Sequence, residues 1–159
     1  MAKLVAFYSY SSSTRRVAEL IARAAGGTLL EIEPEVPYPA SYDECAERAK
    51  KEAEEGIRPA LKTQLPDIAS YTTVFVGSPN WWGTMPMPIA TLLEQHDFSG
   101  KTIVPFVSHG GGGLGRSIAD IKKLAPNATV LDGLSIYGAG GSSLSKDMDA
   151  WLAKAGLAQ

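Results

Sequence analysis

The chain has one cysteine, Cys45, in 159 residues. An intrachain disulfide is therefore excluded, and a lone thiol fits a reducing compartment such as the cytosol. There are two histidines, His96 and His109, and no C-x-x-C or histidine cluster, so no metal site is expected. No run of 18 apolar residues occurs, which removes a membrane-spanning helix. The opening MAKLVAFYSY turns polar too soon for a secretory leader. An excess of charge of one sign is also missing, since the net charge is −2. That balance argues against non-specific nucleic-acid binding, which needs a basic face, and against a strongly acidic docking surface. The dinucleotide fingerprint G-x-G-x-x-G is missing from the loop after the first strand, and the P-loop G-x-x-x-x-G-K-[ST] and the hydrolase elbow G-x-S-x-G occur nowhere in the chain.

What remains is ordinary in bulk and unusual in places. Apolar residues make up 45% and charged ones 20%, as in a globular domain. The length suits one domain, 1–159, with no interdomain linker or repeat. Short β-rich runs alternate with longer helical patterns. The strands are expected at Lys3–Ser9, Thr28–Glu33, Thr72–Ser78, Lys101–Ser108 and Ala128–Gly138. Strand two alternates at its end, as an edge strand does. Pro105 inside strand four cannot donate to a ladder, so a local irregularity is expected there.

A helix follows each strand. The first carries Val17, Leu20, Ile21 and Ala24 as one stripe and stops at Gly26–Gly27. The second, Tyr42–Gly56, interleaves Glu and Lys and reads as largely solvated, with Cys45 as packing. The others are expected at Pro88–His96, at Leu114–Ala125, and through Leu144, Met148, Trp151, Leu152 and Ala155. His96 reads as a favourable charge at a helix C-terminus. The proline-rich PEVPYPASY could be a dimer contact, though nothing requires it. Five strand–helix units imply an α/β, three-layer, doubly wound parallel sheet. In such sheets ligands bind beyond the carboxyl ends of the strands.

The loops at those ends are the most unusual stretches of the chain. Tyr8 to Thr14, YSYSSST, is seven consecutive hydroxyl side chains at a strand-to-helix corner. A helix N-terminus gathers unsatisfied N–H groups and a positive dipole end, and hydroxyls add donors without charge. Ser9, Ser11, Ser12, Ser13 and Thr14 could wrap a terminal monophosphate. Helix capping alone would need one or two of them. Arg15 and Arg16 oppose the helix dipole, a cost that a bound anion would offset.

The segment FYSYSSSTRRVAELIA resembles the phosphate-binding loop of flavodoxins, whose pattern after strand one is roughly [ST]-x-[ST]-G-x-T. Ser9, Ser11 and Thr14 match its hydroxyl positions; Ser12 stands where the family usually has glycine. The resemblance covers nearly the whole chain and implies a flavodoxin-like sheet of order 2-1-3-4-5, of the short-chain type, with FMN as cofactor. It implies cofactor contacts from Ser9, Tyr10, Ser11, Ser12, Ser13 and Thr14 to the phosphate. Further contacts come from Pro79, Asn80, Trp81, Trp82 and Gly83, and from Ser108, His109, Gly110, Gly111, Gly112 and Gly113, to the ring. A response regulator shares the fold order but needs acidic residues where this chain has YSYS.

Two features of these loops bear on function. Trp81 and Trp82 stand in a Gly/Pro-rich loop, where large aromatics either plug the end of the sheet or stack on a planar ligand. SHGGGGLG allows close backbone approach, and many flavodoxins place a ring-covering tyrosine in this loop. Here it has no aromatic, so one ring face is open or covered by Trp82 or another element. His109 could contact the flavin or relay a proton; ending a strand and bonding backbone is the plainer role.

The leading expectation is an FMN-binding electron carrier, cytoplasmic, working between a reductase and an acceptor enzyme. The alternative is an FMN-dependent NAD(P)H oxidoreductase acting on quinones or similar small acceptors. A third is a phosphosugar- or nucleotide-binding module without redox chemistry. No nucleic acid or membrane partner is expected.

Overall fold

The expected alternation closes into a single parallel sheet. The computed structural model describes residues 2–158. Its strands are β1 (Ala2–Phe7), β2 (Thr28–Glu31), β3 (Tyr71–Pro79), β4 (Thr102–His109), β5 (Thr129–Val130) and β6 (Leu134–Tyr137). The helices are α1 (Ser12–Ala25), α2 (Tyr42–Glu55), α3 (Met87–Gln95), α4 (Ser117–Leu124) and α5 (Leu144–Ala155). The sheet order is β2-β1-β3-β4-β5, and β6 also pairs with β4, every pairing parallel. This is the three-layer doubly wound fold expected from the sequence.

The fifth strand is in two pieces where one was expected, and Pro105 accounts for it. β5 pairs with Thr102 and Ile103 of β4, and β6 pairs with Phe106 to His109. The break therefore lies opposite Val104 and Pro105. Proline has no N–H to donate. The irregularity that Pro105 calls for appears on the neighbouring strand, while β4 itself runs unbroken. The fourth helix starts three residues later than expected, because Leu114–Arg116 form a turn closed by the Ser117 N–H on the Leu114 carbonyl (3.0 Å).

Strand periodicity divides the core in two. Val5, Phe7, Phe75, Val104 and Phe106 face α1 and α5, whose Val17, Ile21, Met148 and Leu152 complete that layer. Leu4, Ala6, Val74, Val76 and Ile103 face the other way, onto Cys45, Ile89, Leu92, Leu93 and Ile121 of α2, α3 and α4. The α1 stripe is Thr14, Val17, Ala18, Ile21 and Ala25, with Leu20 and Ala24 flanking it. Gly26 ends the helix in the left-handed region (φ 77°), its N–H returning to the Ala22 carbonyl at 3.0 Å. Met87 to Leu93 of α3 are all buried, as a helix wedged between two others requires. β2 is the wet edge strand that its sequence suggests.

Helix α2 is less solvated than its charge pattern implies. Glu52 on its inner face is 5% exposed and accepts from Tyr38 Oη and from Arg48 Nε (3.1 Å). Arg48 also donates to the carbonyls of Pro37 (2.8 Å) and Val36 (2.9 Å). The proline-rich segment is thus strapped onto α2 of its own chain. Among the described residues, no helix is long and apolar enough to cross a membrane.

Candidate functional site

The carboxyl ends of β1, β3 and β4 bring three of the unusual loops together. Ladder register places Pro79 beside Ser108, and the Tyr8 N–H donates to the Gly77 carbonyl (3.0 Å). The Thr14 and Ser108 hydroxyls meet at 2.7 Å, both buried, tying the start of α1 to the end of β4. Thr14 of the hydroxyl run and Ser108 of the glycine loop, both expected site residues, thus spend their side chains on each other.

Tyr8 is buried in the core, and Ser9 to Ser13 are partly or fully exposed. Ser11 is the N-cap of α1, but its side chain makes no capping bond. Arg15 N–H alone in the first turn finds a side-chain partner, Ser9 Oγ at 3.3 Å. The N–H groups of Ser12, Ser13 and Thr14 have no protein acceptor among the described residues. Helix starts normally satisfy such donors with a cap, water or a ligand. Here the cap is withheld while the hydroxyls of Ser11, Ser12 and Ser13 stand around it, at an end of positive potential. Arg15 turns aside to pair with Glu31 at the end of β2, and that pairing raises its pKa.

The tryptophan loop is a tight turn. Trp81 and Thr84 exchange backbone bonds (2.9 and 3.2 Å), and both central residues are left-handed, Trp82 at φ 56° and Gly83 at φ 83°. For a residue as large as tryptophan this backbone costs on the order of 1 kcal/mol or more. The turn is held from both sides. Trp82 Nε1 donates to the Ala46 carbonyl of α2 (3.0 Å), and its ring is about half exposed. Trp81 packs edge-on against Tyr8, Tyr10 and Tyr38. Tyr10 and both tryptophans line a cavity of about 250 Å³ against α2.

Asn80 locks this turn to the glycine loop. Its side chain accepts from the Gly83 N–H (2.9 Å) and donates to the Gly113 carbonyl (2.9 Å). The Arg116 N–H reaches the Gly83 carbonyl at 2.6 Å. A Cβ on Gly115 would overlap that carbonyl oxygen, so only glycine permits the approach. Asn80 and Gly83, expected to face a ring edge, are thus engaged in joining two loops.

His109 is pinned as well. Its Nδ1 accepts the Gly111 N–H (3.0 Å), which leaves the proton on Nε2, 2.8 Å from Ser135 Oγ. With both ring nitrogens engaged, His109 positions Gly111, the plainer of its two expected roles. Its ring meets Tyr137 edge-on at 5.8 Å, and Tyr137 is 71% exposed. This aromatic beside the glycine loop was missed in the sequence, because only the β4–β6 register sets Tyr137 against His109. At Gly110, Gly111 and Gly113 an added Cβ would meet nothing within 4 Å. His96 departs from expectation: burial lowers its pKa, so the fold favours its neutral form over a charge on the helix end.

Comparison with known proteins agrees with the fold. The flavodoxin family profile matches residues 2–155. The chain is 34% identical to a candidate flavoprotein from Bacteroides eggerthii, over 96% of each chain, with a TM-score of 0.84. It is 31% identical to one from Bacteroides uniformis, over 94% of this chain and 96% of that one, with a TM-score of 0.83. A flavoprotein from Lactobacillus acidophilus, solved in complex with FMN, shares the fold at 23% identity over 84% of this chain and 91% of that one (TM-score 0.70). No curated protein sequence matches the chain.

Proposed function

The chain belongs to the flavodoxin family, and from that membership we propose that it binds FMN and carries electrons between a reductase and an acceptor enzyme in the cytoplasm. The observation that carries this reading is the uncapped start of α1. Three N–H groups and three outward hydroxyls there offer a phosphate neutral donors at a positive helix end. FMN supplies the redox chemistry when bound, accepting and releasing one or two electrons. Ser9, Ser11, Ser12 and Ser13 would hold its phosphate. The N–H groups of Gly110, Gly112 and Gly113 are left to approach a ring edge and would stabilise negative charge developing there, while that of Gly111 is held by His109. Trp81, Trp82 and Tyr137 are the large aromatic groups within reach of the same strand ends.

A second reading is an FMN-dependent NAD(P)H oxidoreductase of quinones or similar acceptors. One observation favours it: the open space around Gly110, Gly111 and Gly113, which leaves room for a small substrate. The near-balanced charge also gives little steering toward a strongly charged protein partner.

Titration with FMN, followed by tryptophan fluorescence, tests the cofactor. Saturable quenching, weaker with riboflavin, is expected. Absence of FMN binding would overturn both readings and favour a colourless phosphate-ester module. Anaerobic mixing of the loaded protein with NADH or NADPH then separates the two. The carrier stays oxidised until a reductase is added, whereas the oxidoreductase bleaches at once.

A further inference from the structure

Behind the tryptophan turn Trp81 belongs to an aromatic group whose buried members, Tyr8 and Tyr38, the proposed cofactor site does not use. Trp81 meets Tyr38, Tyr8 and Tyr10 edge to face, at centroid separations of 5.0, 5.4 and 5.6 Å. These rings are close enough for an electron to pass between them. The three phenols differ in what their oxygens meet. Tyr10 Oη donates to the Pro39 carbonyl, which does not take up a proton near neutral pH. Among the described residues, Tyr8 Oη has no carboxylate on it. Tyr38 Oη donates to Glu52 Oε1, and Arg48 Nε holds the other carboxylate oxygen at 3.1 Å. Tyr38 and Glu52 are 8% and 5% exposed.

Such an arrangement has a chemical consequence. A phenol that loses an electron becomes a strong acid and must shed its proton. Of the three, only Tyr38 has a carboxylate group, itself paired with Arg48, already on its oxygen. The Arg48 guanidinium lies 3.9 Å from the Tyr38 ring centre and disfavours a positive charge on that ring. Electron and proton are therefore made to leave together. Burial first, and the Glu52 bond second, raise the phenol pKa, so it stays protonated at rest.

We infer that Tyr38 and Glu52 form a proton-coupled electron donor to Trp81, a one-electron reservoir behind the tryptophan turn. The step begins with Trp81 as an indole radical cation. It is formed by a one-electron oxidant that reaches the turn, either a photoexcited flavin or an oxygen-derived radical. Tyr38 gives one electron to Trp81, and its O–H proton passes to Glu52 Oε1. The products are a neutral indole, a neutral phenoxyl radical and a carboxylic acid. The role is to repair an oxidised tryptophan, and it requires oxidation of Trp81 alone, independent of bound FMN.

Pulse radiolysis of the flavin-free chain tests this, with azide radical as the one-electron oxidant of tryptophan. Transient absorption follows the indole radical cation and the phenoxyl radical. The native chain is expected to convert the radical cation to phenoxyl at a rate independent of protein concentration. Tyr38→Phe should remove that phase, while Tyr8→Phe and Tyr10→Phe keep it. Glu52→Gln should slow it at least tenfold. Where Glu52→Gln costs the fold, heavy water makes the same test in the native chain, where a slower rate is expected. A phase that survives Tyr38→Phe, or a rate untouched by Glu52→Gln and by heavy water, overturns the inference.

Discussion

Gly77 is the position where a single methyl group should do most damage near the site. It lies in β3, in register with Phe7 of β1 and Phe106 of β4, and it leads directly into Pro79 to Trp82. A methyl there would overlap Cζ and Cε2 of Phe106 and stand 2.6 Å from Cε1. The Phe106 ring is fully buried among Phe7, Phe75 and Val104, so it has no free volume to move into. Overpacking of this kind costs about 1–3 kcal/mol, and an overlap with most of a ring puts Gly77→Ala at about 3 kcal/mol or above. In a domain of this size that lowers the melting temperature by roughly 6–12 °C. Urea unfolding gives the loss. A double-mutant cycle identifies its cause, because Phe106→Leu should relieve the overlap. Gly77→Ala with Phe106→Leu should be more stable than additivity predicts, by about 1 kcal/mol or more. A Gly77→Ala chain within 1 kcal/mol of native, or strict additivity, would refute the argument.

Other consequences are as direct. Trp82→Val should lower stability by about 1 kcal/mol more than Trp82→Asn, because asparagine tolerates the left-handed backbone and a β-branched residue does not; parallel urea curves decide it. Ser12→Ala/Ser13→Ala should weaken FMN binding while leaving riboflavin binding nearly unchanged, as read by fluorescence titration; equal losses for both ligands would place the phosphate elsewhere. Glu52→Ala leaves Arg48 and Tyr38 Oη without their shared acceptor and should cost about 3–5 kcal/mol in the same urea assay. The lowered pKa of His96 has a defined sign: below its ordinary value of 6.5 the unfolded chain takes up a proton that the folded chain resists. Stability should therefore fall as pH drops through that range, and His96→Gln should flatten the fall in urea midpoint between about pH 7 and pH 5.

Sequence by itself determined the order of elements, the parallel sheet and the loops that meet at its carboxyl end. These rest on local signals: residue periodicity, glycine stops and the run of hydroxyls before α1, all read within one turn or one strand. The tertiary structure decided what those loops do with their side chains. Thr14 joins Ser108 across 94 residues of sequence, and Asn80 joins Gly113 across 33. The break between β5 and β6 was legible only once Pro105 was set beside it, since a missing donor acts on the neighbouring strand. Glu52 looks like one more solvated charge on α2 until Tyr38 and Arg48 close over it. Tyr137 becomes a neighbour of His109 through register alone. Apart from Arg48, which shares α2 with Glu52, the partner in each case lies outside the residue's own element. Periodicity reports which face a residue is on, and it carries no information about what the opposing element places there.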